Sequence, residues 1–173
     1  DYDCALSFNV INAVYTYARD GGPARSVAAA ALVDPFGVVF DDVSGLPVDG
    51  AIVTLVNADT GLLAVVACYD GINASPNPMV SGSSFEQCGE VVLPPGGYSF
   101  PLLLPGNYVL RVEPPSGYSF PSVVPTDSLP AGLHILGPPG TGTSLGNDFL
   151  IYPWAAALRI EIPVHYLCGH LQI

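Results

Sequence analysis

Residues 142–146, Gly-Thr-Ser-Leu-Gly, place Ser144 at the centre of a G-x-S-x-G pattern, with Asp148 and His165 following in the order used by a serine hydrolase. The nucleophile elbow works because a strand turns sharply into a helix and exposes the serine. Here a Pro/Gly-rich loop leads into a strand, so the context is wrong. The overlapping run Gly137-Pro138-Pro139-Gly140-Thr141-Gly142-Thr143-Ser144 follows the apolar Leu133-His134-Ile135-Leu136 and imitates a phosphate-binding loop. Such a loop needs a lysine ahead of its Ser or Thr to reach the β- and γ-phosphates, and Thr143 holds that position. His165, Cys168 and His170 are spaced for a small metal cluster only while Cys168 is a free thiolate. Tyr152, Trp154 and Tyr166 could offer stacking faces to a sugar, although such side chains are more often core and rim in a sandwich. No catalytic constellation is complete, and the chain is read as a non-enzyme without a cofactor.

The elements that must position these residues are bounded by composition. At 173 residues the chain is one large or two small domains, long enough to bury a core. Only 11% of its residues are charged, against about 25% in an ordinary soluble domain, while 50% are hydrophobic and lysine is absent. Fifteen acids against four arginines give a net charge of −11, which argues against nucleic acid or an anionic membrane as partner. No apolar run approaches the roughly 18 residues of a membrane helix; the Ala-rich Val27–Val33 is far too short. No signal peptide precedes Asp1, so the chain is read as processed or excerpted. Cys4, Cys68, Cys88 and Cys168 lack CxxC spacing and point to disulfides in an oxidising compartment. Of three pairings, Cys68 with Cys88 and Cys4 with Cys168 is preferred: the first closes a long loop and the second ties the ends. The second bond could equally join neighbouring subunits.

In order, Leu6, Phe8 and Val10 begin a strand reaching about Tyr17. The Ala-rich run after Arg25 fits a short helix or a buried strand equally. Strands are expected at 37–40, 51–56 and 62–69, separated by the polar turn 41–50 and by Asp59-Thr60-Gly61. Residues 71–97 read as a long loop pinned by Cys68 and Cys88, with a glycosylation sequon at Asn73. The stretch 97–118 reads as a hairpin turning at Leu104-Pro105-Gly106-Asn107, with Tyr108, Leu110 and Val112 facing inward and Pro114-Pro115 ending the ladder. Gly-Tyr-Ser-Phe-Pro occurs at 97–101 and again at 117–121, which is read as a recurring strand edge. Ser119 to Gly146 is irregular. In the last strand Leu158, Ile160, Ile162, Val164 and Tyr166 alternate with Arg159, Glu161, Pro163 and His165, predicting one core face and one wet or polar-covering face. Pro163 marks an edge strand or one leaving its sheet.

Gly37-Val-Val-Phe-Asp41-Asp42, Gly45, Val48-Asp49-Gly50-Ala-Ile-Val-Thr-Leu55, Tyr98-Ser-Phe100, Leu104-Pro105-Gly106-Asn107-Tyr108 and Pro114-Pro115-Ser-Gly117-Tyr118 together resemble the B-type repeats of bacterial surface adhesins. Carboxypeptidase-regulatory-like and prealbumin-like sandwiches are related to them. The resemblance covers about residues 36–120. It implies an all-β, immunoglobulin-like or prealbumin-like antiparallel β-sandwich with long Pro/Gly-rich loops and added terminal strands. The organisation expected is 1–35 as an N-terminal strand and Ala-rich connection, 36–120 as the core, and 121–173 as a loop and strands completing the same or a neighbouring sandwich. Many such adhesin modules cross-link a Lys to an Asn or Asp inside the core; without lysine that bond cannot form here, and disulfides stand in for it. Some relatives bind calcium through an acidic turn, for which Asp41, Asp42 and Asp49 are the local candidates. The function implied is a secreted structural subunit of a surface filament, stalk or layer, partnered by further copies of itself head to tail. Either apolar terminal strand, residues 5–17 with Leu6, Phe8 and Val10 or residues 158–166, would join subunits by strand addition. The alternative is an adhesin domain holding a glycan or protein through the 71–97 loop.

Overall fold

Pro35 opens and Asp41 closes the strand about which the chain is arranged. Proline needs no ladder donor at a strand start, and the Val-Val-Phe that follows suits a pleat buried on both faces. The computed structural model describes residues 15–17, 25–27, 35–132, 149–151 and 158–167. In chain order its strands are β1 (Tyr15–Tyr17), β2 (Arg25–Val27), β3 (Pro35–Asp41), β4 (Ile52–Asn57), β5 (Met79–Val80), β6 (Ser84–Phe85) and β7 (Val91–Val92). Then follow β8 (Gly97–Ser99), β9 (Gly106–Glu113), β10 (Tyr118–Ser119), a 3-10 turn at Thr126–Ser128, β11 (Phe149–Ile151), β12 (Leu158–Arg159) and β13 (Ile162–Tyr166).

One sheet is built on β3. β8 pairs with it antiparallel on one side, β12 and β13 pair with it parallel on the other, and β10 adds antiparallel to β13. The second sheet runs β11–β9–β4–β5. Val39, Tyr98, Ile160, Ile162 and Val164 from the first sheet and Val53, Leu55, Met79, Tyr108 and Leu110 from the second share one buried core, which makes the fold an all-β sandwich. β1 with β2 and β6 with β7 are separate two-stranded ladders.

β12 and β13 are one interrupted strand. Arg159 lies opposite Phe36 and Ile162 opposite Val39, so two residues lie between the paired stretches on both strands and the register never slips. The two Gly-Tyr-Ser copies sit at the two flanks of the parallel pair, β8 against β3 and β10 against β13. The same five letters therefore serve the same job twice, closing a flank of one sheet.

The 97–118 stretch is not a hairpin. β8 pairs with β3 and β9 pairs with β4, so residues 100–105 cross from one sheet to the other, with Phe100 and Leu103 fully buried on the way. The expected four-residue turn is absent as well: the chain bends at Pro105, and Gly106 and Asn107 already belong to β9, so no positive φ is needed there. Residues 62–69 make isolated bridges to Val56, Ala74 and Leu102 instead of a continuous strand. The 71–97 segment is more ordered than a loop, carrying β5 through β8's first residue. Asn77 explains part of that order: the Leu55 N–H donates to its Oδ1 at 3.0 Å, and its Nδ2 donates to the carbonyls of Leu55 (2.7 Å) and Ala64 (2.9 Å). One side chain thus replaces a strand partner at the edge of β4.

Candidate functional site

The three acidic turn residues each have their own partners. Asp41 Oδ1 accepts from the Ser44 N–H at 2.7 Å, the Ser44 hydroxyl at 2.7 Å and the Val43 N–H at 3.2 Å, closing the turn that follows β3. Partial burial works against its charge, but those donors and the nearby His165 ring outweigh it and hold the carboxyl below its ordinary 3.8. A carboxyl lowered on folding stabilises the fold above its unfolded pKa and loses that contribution as pH falls through the folded value. The acid limb of the wild-type stability curve, below about pH 4, is therefore expected to flatten in Asp41→Asn, read by urea midpoints between pH 2 and 6.

Asp42 is buried, and its carboxylate accepts the Ser122 hydroxyl while lying 3.1–3.2 Å from His165 Nδ1. Sequence reading had set His165 with Ser144 and Asp148, both outside the described residues; the structure sets it with Asp42 and Ser122, 123 and 80 positions from Asp42. No local pattern could have announced that. In a hydrolytic relay the imidazole stands between hydroxyl and carboxylate. Here the carboxylate stands in the middle, and Ser122 Oγ also accepts the Val124 N–H, so the cluster ties the end of β3, β13 and the 120–125 segment together.

Asp49 is exposed and accepts the Gly96 N–H at 2.5 Å. Its carboxylate rests where a Cβ on Gly82 would be, 1.9 Å from Oδ1. Asp49 therefore pins two glycine turns of the 71–97 segment. Among the described residues no three His, Cys, Asp or Glu side chains gather as a metal site. Melting in millimolar EDTA decides the calcium expectation: a fall of several degrees would mark Asp41, Asp42 and Asp49 as calcium ligands, and an unchanged melt would remove them.

Cys68 and Cys88 are bonded, closing a loop of 20 positions. In the chain-entropy account this is worth about 3 kcal/mol, so the Cys68→Ser, Cys88→Ser pair should lower the denaturant midpoint accordingly without changing the all-β circular dichroism. Asn73 is exposed, its amide donating to Asp70 Oδ2 at 2.6 Å, while the sequon's Ser75 is buried. Cys4, Cys168, His170, Tyr152 and Trp154, the phosphate-loop imitation, and Leu6, Phe8 and Val10 all lie outside the described residues. Tyr166 is half exposed and meets the Tyr118 ring edge-on at 5.3 Å.

The last strand departs from the expected two-faced pattern. Ile160, Ile162 and Val164 are fully buried as expected, but Glu161 is also fully buried and Pro163 is buried. Arg159 and His165 on the outer face stay exposed or half-exposed as expected, so the departure is confined to Glu161 and Pro163. Glu161 is the residue that interrupts the strand. Its Oε2 accepts the Val38 N–H at 2.9 Å and its Oε1 accepts Arg159 Nε at 2.5 Å. The Ile160 carbonyl, which would otherwise take the Val38 N–H in a parallel ladder, instead accepts the Tyr98 hydroxyl at 2.7 Å. Tyr98 sits on the far side of β3 and reaches Ile160 beneath Gly37, where no side chain intervenes. Burial first, and the neighbouring Glu161 charge second, push the Tyr98 hydroxyl well above the phenol range, so it stays protonated and donates to the Ile160 carbonyl.

No protein-family model and no curated protein matches the chain. Among solved structures it is similar to the pilus 2b backbone protein of group B streptococcus, at 15% identity and a TM-score of 0.42, over 87% of this chain and 46% of that one. It is also similar to the major pilin subunit of Bacillus cereus, at 13% identity and a TM-score of 0.44, over 83% of this chain and 32% of that one. The chain spans less than half the length of either protein. Among the described residues no helix is long and apolar enough to cross a membrane.

Proposed function

We propose that this chain is an extracellular structural subunit of a bacterial surface filament, stalk or layer, joined head to tail to further copies of itself. The observation that carries this reading is a pair of unlike apolar patches at the two ends of the sandwich. At the end where β3 and β13 finish, Val43, Leu46, Val123, Tyr166 and Leu167 are all exposed, around the segments tied by Asp42. At the other end the Phe100 N–H bonds to the Pro35 carbonyl and the Ala58 N–H to the Asn107 carbonyl. Leu62, Leu63 and Leu104 are exposed there. A chain with 11% charged residues has little else to cover these ends. Contact between two different patches does not close on itself and propagates as a filament. The B-type-repeat pattern of residues 36–120 supports the same role and an extracellular setting.

Truncation before β12 is a poor test, because it removes three fully buried core residues, Ile160, Ile162 and Val164. Leu62→Asp with Leu63→Asp changes only exposed positions. Electron microscopy and native mass spectrometry should find ordered polymers for the wild type and monomers with an unchanged melt for the variant. A wild type that stays monomeric at every concentration would sink the reading. A second reading, an adhesin domain, draws on the exposed Tyr69, Ile72 and Val92 of the disulfide-pinned segment; it requires retention on a panel of glycans or matrix proteins that Ile72→Asp abolishes.

A further inference from the structure

Tyr118 and Tyr166 stand directly opposite each other where β10 pairs with β13. The Leu167 N–H donates to the Gly117 carbonyl at 2.8 Å, so residues 117 and 167 are the hydrogen-bonded pair of this ladder. Tyr118 and Tyr166 are therefore the adjoining non-hydrogen-bonded pair, in which facing side chains come closest. Their ring centroids are 5.3 Å apart and the planes lie at 65°, an edge-to-face contact. The Tyr118 N–H closes a turn onto the Pro115 carbonyl at 3.1 Å, and its ring packs against the core, which fixes this member of the pair. Tyr166 is half exposed, and its ring can turn about the Cα–Cβ bond. Tyr98 and Tyr108 differ: both are buried, with their hydroxyls given to the carbonyls of Ile160 and Leu104.

We propose that Tyr118 and Tyr166 form a modification site, joined within one chain as a dityrosine by a one-electron oxidant of the haem peroxidase class using hydrogen peroxide. The oxidant takes one electron from each phenol, and each phenol gives up its proton. The two phenoxyl radicals pair their electrons in a new carbon–carbon bond between the Cε atoms beside the hydroxyl-bearing carbons. Each of those carbons then releases its hydrogen as a proton while its oxygen takes one back, which restores both rings. The two electrons and two protons that leave the chain reduce one hydrogen peroxide to two waters. Contact decides the partner, because a radical on one ring already has the other ring against it and needs no encounter between chains. The exposed side of Tyr166 is where the oxidant reaches the pair, and the Cys68–Cys88 bond marks oxidising surroundings. The consequence is structural. The two-residue β10 becomes covalently tied to β13, whose Ile162 and Val164 are fully buried, at the end of the sandwich that carries Val43, Leu46 and Val123. Nothing in this requires that copies of the chain join one another.

The test treats the full chain, at high dilution, with a haem peroxidase and hydrogen peroxide. Once disulfides are reduced, cleavage after Arg111 and Arg159 places Tyr118 in residues 112–159 and Tyr166 in residues 160–173. A monomer lighter by two hydrogen atoms is expected, with dityrosine fluorescence and those two peptides joined. Tyr118→Phe and Tyr166→Phe keep the ring contact and remove the hydroxyl that coupling needs, so each should abolish the joined peptide. A joined peptide that persists in Tyr118→Phe would put the bond on Tyr152, the other tyrosine of residues 112–159, and overturn the proposal. An unmodified monomer, or bonds found only between chains, would overturn it equally. Oxidised wild type should also unfold at a higher urea midpoint than either oxidised variant, since the new bond restricts the unfolded chain as a disulfide does. A midpoint that oxidation leaves unmoved would overturn the tie between β10 and β13.

Discussion

Glu161→Ala is expected to lower the unfolding free energy by about 3–5 kcal/mol, the range for breaking a buried ion pair from one side. The carboxylate is fully buried and holds two groups at once, the Val38 N–H at 2.9 Å and Arg159 Nε at 2.5 Å. Alanine leaves the Val38 N–H without an acceptor inside the sheet, because the Ile160 carbonyl is engaged by Tyr98. It also leaves a void in a core that packs tightly against both neighbours. Arg159→Ala should cost less, about 1–2 kcal/mol: the arginine side chain is 48% exposed, and water reaches the carboxylate from the side it vacates. Urea unfolding of the two variants separates the cases. Equal losses would mean that the ion pair matters and the Val38 bond does not. A loss below about 1 kcal/mol in Glu161→Ala would mean that the ladder reforms once the carboxylate is gone.

Period-two alternation was legible wherever a strand is covered on one face. Tyr108, Leu110 and Val112 turn inward as read, and Ile160, Ile162 and Val164 are fully buried. The cysteine spacing likewise led to the Cys68–Cys88 bond, since it closes a long segment between strands. Alternation failed at Glu161 because it reports one face at a time. Glu161 turns into the ladder, where it takes the Val38 N–H, and Arg159 two positions away pairs its buried charge. The strands on either side of Leu104-Pro105 were legible, but the turn between them and their partners were not: residue type says where a strand can run, while the choice between β3 and β4 is made by distant contacts, such as Tyr98 with Ile160 at 62 positions.

The polar clusters were the least legible part. Asp42, Ser122 and His165 carry no spacing signal, and the sequence instead offered Ser144 and Asp148 as partners for His165. Asn77 lies in the stretch read as a long pinned loop, yet its amide does the work of a strand. A side chain that satisfies backbone groups leaves no periodic trace; only an Asn followed by Pro within a Gly/Ser-rich run hints at a fixed turn. The five-letter repeat was a better guide, because a strand that closes a sheet flank must meet the same needs at both flanks: an aromatic to cover the core edge, and a glycine before it.

Gly37→Ala should be among the most damaging single substitutions, costing more than about 4 kcal/mol. Gly37 lies opposite Tyr98 on one side, and by the unbroken register opposite Ile160 on the other. A Cβ there would stand 1.7 Å from the Ile160 carbonyl oxygen and 3.2 Å from Tyr98 Cε1. The first is backbone held by the parallel ladder, so it cannot swing away as the end of a flexible side chain could. Either β12 must separate from β3, losing the Ile160-to-Phe36 bond at 2.8 Å, or Tyr98 must withdraw and leave the buried carbonyl unpaired. Tyr98→Phe removes only the hydroxyl and should cost about 1–3 kcal/mol, the penalty of one orphaned buried acceptor. In the double variant the two losses should fall short of their sum, since the alanine has already disrupted the contact that the hydroxyl makes. Strict additivity in urea midpoints would mean that Gly37 and Tyr98 act independently. A tolerated Gly37→Ala, with loss below about 1 kcal/mol, would show that the crossing of Tyr98 beneath β3 does not hold the C-terminal strand in place.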